Sequence, residues 1–184
     1  VRNILLVFVP SAVIGALAYK LIKSMLDAPA VVAWALILGG IAILVIEKMA
    51  KTIRTESVEG MNWRTALGIG FIQCLSMIPG VSRSGATIMG ALMLGVERNT
   101  AAEFSFFVAV PTMMGATSLA LYKEGAALAA ADISNIAIGF VISFIVAAIV
   151  IKGFLAVVTR YGFAPFAWYR ILIGIVALIW LNTP

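Results

Sequence analysis

The residues best equipped for chemistry in this sequence stand together in Pro79-Gly80-Val81-Ser82-Arg83-Ser84-Gly85-Ala86-Thr87. An arginine sits between two serines, and a threonine follows one helical turn after Ser84. Pro79 removes a backbone donor, while Gly80 and Gly85 open conformations closed to other residues, so the chain can turn sharply here. Arginine suits phosphate because its planar fork can donate two hydrogen bonds at once. The free N–H groups of a helix starting at Ala86 would favour an anion in the same place. No acid occurs among the nine residues. The stretch reads as an oxyanion cradle, with Arg83, Ser82, Ser84 and Thr87 as its working side chains and Gly80 and Gly85 as backbone that contacts substrate.

Gln73 and Ser76 lie two turns and one turn before Gly80 on one helical face. They either line the cradle or tie membrane helices together, as polar side chains also do. Glu103, just inside an apolar span, either counters Arg83 or lies in the headgroup zone near Arg98. Glu47, Glu56, Glu59 and Glu97 read as solvated loop charges, and the Met113-Met114 pair as packing. For Arg83 the plain alternative is snorkelling to an interface or capping the preceding helix. Against it stands a cost of about 2.5–3.5 kcal/mol for an arginine at the centre of a membrane span, which makes such residues functional by default.

What must position these residues is a membrane bundle. Of 184 residues, 63% are hydrophobic and only 11% charged, and the mean hydropathy is +1.12. A soluble domain is near half apolar and a quarter charged. The formal charge of +5 is scattered between apolar segments, which argues against nucleic acid as a partner and for a loop-charge pattern. With no histidine and one cysteine, Cys74, the chain offers neither a disulfide framework nor a zinc or histidine site. It begins Val1-Arg2-Asn3, with no methionine and no signal-peptide pattern, so the start of a longer protein is expected to be missing.

Five apolar stretches are long enough to count as full spans: Ile4 to Ile22, Ala30 to Ile46, Thr100 to Tyr122, Ile133 to Ile151 and Phe163 to Leu181. The second carries a Gly39-Gly40 packing notch. The last carries aromatics Phe163, Phe166, Trp168 and Tyr169 at one end and Trp180 at the other, as an interfacial belt would. Asp27-Ala28-Pro29 makes a turn, and Glu47 to Asn62 is the one hydrophilic connector. Residues 63–96 are apolar but interrupted by the cradle. Their arms, Trp63 to Ile78 and Ala86 to Gly95, would make about 24 and 15 Å of helix, against the 30 Å or so of hydrocarbon. The segment is therefore either a re-entrant hairpin or one broken helix.

Loop charge separates the two, because cytoplasmic loops carry the excess of Lys and Arg. A re-entrant hairpin puts nine cations (Arg2, Lys48, Lys51, Arg54, Arg64, Arg98, Lys152, Arg160 and Arg170) on one side, and three (Lys20, Lys23 and Lys123) on the other. A single crossing gives six on each. The re-entrant arrangement is predicted, with the nine-cation side cytoplasmic and the C-terminus outside. The fold class expected is thus all-α and integral to the membrane: one domain over 1–184, a bundle of about five spans plus a re-entrant hairpin at 63–96.

At Pro79 to Thr87 the sequence resembles the bacitracin-resistance family of undecaprenyl-diphosphate phosphatases. Ala102-Glu103-Phe104-Ser105-Phe106, then Pro111, Met113, Met114, Gly115 and Ala116, is similar too, as is Pro165-Phe166-Ala167-Trp168-Tyr169-Arg170. The resemblance implies hydrolysis of undecaprenyl diphosphate to undecaprenyl phosphate and inorganic phosphate, recycling the lipid carrier for peptidoglycan synthesis at the bacterial cytoplasmic membrane. It implies that Arg83, with Ser82, Ser84 and Thr87, binds the diphosphate, and that a divalent cation, Mg or Ca, is used. It also implies an inverted-repeat fold with two re-entrant hairpins, of which this chain would hold half. The family's other motif, two glutamates followed by a Pro-Val-Ser-Ser-Thr-Gly-His run, has no match here. The general acid/base, the nucleophile and the cation's ligands would lie in it, so the chain by itself is expected to be inactive. A homodimer is left open. The alternative in another class is a transporter or flippase for an anionic polyprenyl phosphate lipid, since broken helices at an inverted repeat also bind transported anions.

Overall fold

The computed structural model describes residues 2–26, 28–50, 52–124 and 130–183, without the side chains of residues 19, 20, 23, 26, 119, 123, 124 and 130–132. Eight α-helices are described: α1 (Arg2–Leu17), α2 (Tyr19–Leu26), α3 (Pro29–Met49), α4 (Trp63–Gln73), α5 (Arg83–Met93), α6 (Arg98–Glu124), α7 (Ala130–Tyr161) and α8 (Ala164–Asn182). A 3-10 turn over Cys74–Met77 extends α4. Four helices are long and apolar enough to cross a membrane, at Pro29–Met49, Arg98–Tyr122, Ile133–Tyr161 and Ala164–Asn182. The first of the five expected spans differs. It breaks at Ala18, leaving α1 with 16 residues, about 24 Å, before the shorter α2.

The hairpin is present. Gln73 bonds Thr87, and Cβ atoms placed on Gly68 and Gly90 would touch Leu94 and Ile72. These pairings run antiparallel, so α4 and α5 are the two arms of one hairpin. Both arms end on the same side of the bundle. The connector after α3 crosses there, with the Arg54 and Thr55 amides donating to the Gly95 carbonyl and the Glu97 amide donating to the Thr55 carbonyl. The Thr100 hydroxyl donates to the Glu56 carbonyl beside them.

At that same base, Glu47 at the end of α3 pairs with Arg98 at the start of α6 at 3.0 Å. Its carboxylate also accepts the Phe163 amide leading into α8. Glu47 is thus a half-buried tie between three helix ends, not the solvated loop charge its position suggested. Glu97, read the same way, caps α6 by accepting the Thr100 amide. Arg2, Lys48, Arg54, Arg64, Arg98 and Arg160 belong to segments that end at this base, and α8 finishes at the far end; Lys152, counted with them as a loop cation, lies instead within the span of α7. Lys51 and the Lys20, Lys23 and Lys123 side chains lie outside the described residues.

The arms are held by two walls. On one side α1 runs alongside α4. Gly70 makes room for it, since a Cβ there would lie 2.7 Å from the Val7 carbonyl. On the other side α3 and α8 pack antiparallel through a reciprocal notch. A Cβ on Gly40 would lie 2.7 Å from the Ala167 carbonyl, and one on Gly174 would lie 2.8 Å from the Ala33 carbonyl. Small residues at such crossings let backbones approach where lipid supplies no hydrophobic drive between helices. α6 closes the remaining side of α5, and Phe104, Val108, Ile88 and Ala91 share one buried cluster.

Candidate functional site

The hairpin tip is built by local rules. Ile78 to Ser82 forms the turn, and Gly80 takes φ +89, a conformation that glycine adopts without strain. Gly80 also packs flat against α3, where a Cβ would lie 2.6 Å from the Val32 carbonyl. Ser82 caps α5: its hydroxyl accepts the Gly85 amide at 3.1 Å and contacts the Ser84 hydroxyl at 3.2 Å. The Ala86 amide already donates to the Ser82 carbonyl. The amides of Arg83 and Ser84 remain as the orphan donors that every helix start carries. They leave Ser82, Ser84 and two amides as donors at one helix start.

Arg83 is half-buried and turns toward α6, where its Nη1 donates to the Ser105 carbonyl at 3.4 Å. The second guanidinium at the tip comes from α8. Arg170 Nη2 donates to the Gly80 carbonyl at 3.0 Å and to the Ala35 carbonyl at 3.3 Å. Its Nη1 stands 3.5 Å from where a Gly85 Cβ would be. Its Nε is buried without a partner. Gly39 is what admits this side chain, because a Cβ there would collide with Nη2. Gly39 lies ten residues from either end of α3, so Arg170 works about 15 Å from each end of that helix. A cavity of about 320 Å³ opens here, lined by Gly80, Ser82, Ser84, Gly85 and Arg170 on its polar side.

Counting Arg170 among the loop cations misplaces it: the structure puts it inside the bundle. It is the one charged residue in the whole of α8, and that was the available signal. The same rule that singled out Arg83, a cation inside an apolar span, applies to it. The loop asymmetry that favoured the hairpin survives its removal.

The other expected residues separate. Thr87 is fully buried and does not face the cavity. Its hydroxyl reaches Gln73 Oε1 at 2.8 Å and the Arg83 carbonyl at 2.9 Å. Gln73, 1% exposed, donates onward to the Ser11 hydroxyl. These two side chains join the arms of the hairpin to each other and to α1, which is the tying role and not the cradle role. Ser76 is half-buried in the 3-10 turn, with no hydrogen bond from its hydroxyl among the described residues. Glu103 is exposed on α6 and does not counter Arg83: among the described residues the only ion pair is Arg98 with Glu47. No three His, Cys, Asp or Glu side chains come together among the described residues, and the tip holds a guanidinium and no carboxylate, which does not fit a divalent cation.

Fold and site together define a class: a polytopic helical bundle in which a hairpin brings a helix start and Arg83 to its interior, where Arg170 of α8 meets the tip. The chain belongs to the bacitracin resistance protein BacA family, whose model matches residues 1–176. It is 68% identical over 180 residues to the undecaprenyl-diphosphatase of Rhizorhabdus wittichii, an alignment covering 98% of this chain and 68% of that protein. It is 61% identical to the undecaprenyl-diphosphatase of Sphingopyxis alaskensis, again over 98% of this chain and 68% of the relative. With undecaprenyl-diphosphatase 2 of Paramagnetospirillum magneticum it shares 56% identity over 94% of this chain and 66% of the relative. The chain thus spans about two thirds of the length of these relatives.

Proposed function

We propose that this chain supplies the phosphate-binding half of an enzyme that hydrolyses undecaprenyl diphosphate to undecaprenyl phosphate and inorganic phosphate. One observation carries the reading. Two guanidinium groups, Arg83 and Arg170, stand at one helix start near the middle of the bundle, and neither is paired with a carboxylate among the described residues. Each cation costs about 2.5–3.5 kcal/mol at the centre of a span on insertion scales. A diphosphate would compensate both at once.

The chemistry asked of these residues is charge stabilisation. As the bond to the terminal phosphoryl group loosens, negative charge spreads over its oxygens, and fixed donors aimed at those oxygens lower the barrier. Ser82, Ser84 and the amides of Arg83 and Ser84 bind the phosphoryl oxygens. Arg170 Nη1, which makes no hydrogen bond among the described residues, offers one further charged donor to the same oxygens. Arg83, which lies outside the cavity lining and donates to the Ser105 carbonyl, would have to turn from α6 to reach the phosphate. Donors already oriented by the helix need no reorganisation as charge develops.

The groups that activate water and take up its proton, and the carboxylates that would hold Mg or Ca, are assigned outside the described residues, because the tip holds no acid. A divalent cation would screen the diphosphate's charge. The setting proposed is the bacterial cytoplasmic membrane with the base of the hairpin on the cytoplasmic side, and the role is recycling of the carrier lipid for peptidoglycan synthesis.

The test is phosphate release from a detergent-solubilised polyprenyl diphosphate by the complete enzyme carrying Arg83→Lys. A point charge cannot replace a bidentate fork, so most activity is expected to go. Undiminished release by the variant would remove Arg83 from the site. No phosphate release by the unmodified enzyme would leave binding without hydrolysis, the behaviour of a lipid transporter.

A further inference from the structure

Two cavities share the wall formed by Ser82, Gly85 and Arg170, and they differ in character. The larger, described above, carries the hydroxyls of Ser82, Ser84 and Tyr169. The other, of about 240 Å³, runs between α3 and the hairpin, and apart from Ser82 and Arg170 at one end its side chains are all apolar. Its floor is Ile43 and Met89, at 6% and 5% exposure, and its rim is Leu38, Leu75 and Met93, at 60%, 56% and 61%. A groove with a closed floor and a rim of exposed aliphatic residues opens sideways, onto the outer surface between α3 and the hairpin. From Leu38 to Ile46 it follows α3 for about 12 Å, from the level of Arg170 toward the base.

We propose that this groove holds the head-proximal isoprene units of the substrate while its diphosphate lies against Ser82 and Arg170. The inference rests on the diphosphate reading above and adds where the hydrocarbon goes. The occupant follows from the shape of the site. A ligand anionic at one end and a flexible hydrocarbon beyond it matches a groove whose only cation is at one end. The groove is continuous with the anion site, since Ser82, Gly85 and Arg170 belong to both. Its volume is below the range of about 300–1,000 Å³ typical of whole-ligand pockets, so only the first part of the chain is enclosed. The rest leaves past Leu38, Leu75 and Met93 into lipid. Entry is lateral, and the substrate need not leave the bilayer.

The experiment uses the purified protein in detergent micelles with a prenyl diphosphate bearing a photoreactive diazirine on its first isoprene unit. Labelling is expected on α3 between Leu38 and Ile46 or on Leu75 and Met93, competed by farnesyl diphosphate and not by farnesol. Competed labelling on Phe154 or Phe166 instead would place the chain in the other cavity and overturn the proposal, leaving the diphosphate reading intact. Labelling that neither compound competes would overturn both. Ala42 lines the groove and is exposed, so Ala42→Trp fills it from the surface. That variant is expected to bind farnesyl diphosphate about tenfold more weakly and inorganic diphosphate as before. Equal weakening of both ligands would show a general disturbance of the tip and refute the groove.

Discussion

Replacing Arg170 with methionine separates a binding role from a structural one, because the two predict opposite results. The structural loss is small. Ala35 is within α3, so its carbonyl keeps its helical partner, and only the Gly80 carbonyl loses a donor. Leaving one buried carbonyl unsatisfied costs about 1–3 kcal/mol. Removing a cation from the middle of a membrane bundle returns about 2.5–3.5 kcal/mol on insertion scales, and methionine fills the apolar space beside Leu38 and Ile43. The net effect on stability is near zero or slightly favourable. Binding behaves otherwise. Truncating one partner of a close, desolvated charge pair costs about 2–5 kcal/mol, so affinity for inorganic or prenyl diphosphate should fall by about thirty-fold to several thousand-fold. Thermal unfolding in detergent and diphosphate titration on the same sample measure both. A variant that unfolds many degrees earlier yet binds diphosphate unchanged would make Arg170 a strut for the hairpin and refute the assignment.

Three further substitutions probe the frame around the site. Thr87→Val leaves the buried Gln73 Oε1 without its donor, so it should lower stability by about 1–3 kcal/mol with diphosphate affinity unchanged; a lost affinity at full stability would return Thr87 to the cradle. Gly80→Ala meets both the positive φ and the Val32 carbonyl, and a drop of at least about 1–3 kcal/mol is expected, readable as an earlier unfolding midpoint. Glu47→Ala removes the partner of Arg98 and the acceptor for the Phe163 amide. It should cost about 1–3 kcal/mol, and a midpoint equal to that of the unmodified protein would show the tie to be idle.

Much of the hairpin was legible in the sequence because membrane geometry leaves few choices. Arms too short to cross, a polar glycine-bearing break and an uneven distribution of loop cations admit one arrangement, and the structure has it. The break of the first span at Ala18 carries no such mark: Gly15-Ala16-Leu17-Ala18 reads as continuous apolar helix. Thr87 was placed in the cradle, and Gln73 was left between cradle and tie, for another reason. Helical spacing says which residues share a face of one helix, but their partnership depends on the register between two arms, set by a turn whose length spacing does not encode. Arg170 was within reach. Its neighbours Trp168 and Tyr169 look like an interfacial belt and drew the arginine to the membrane surface, whereas the packing of α8 on α3 through Gly40 and Gly174 carries it inward. Glu47 failed similarly, since its partners lie 51 and 116 positions further along the chain.

The hairpin's ties are distributed unevenly. At its base, backbone bonds from Arg54, Thr55 and Glu97 and the Thr100 hydroxyl fix both arms to the connector. At its tip, the side-chain hydrogen bond that reaches the turn from outside the hairpin is the one from Arg170 to Gly80. Mechanically this is a cantilever, clamped at one end and, at the other, packed on α3 at Gly80 and strutted by Arg170. The strut is also the group proposed to hold substrate, so a ligand that drew Arg170 away from the Gly80 carbonyl would loosen the tip.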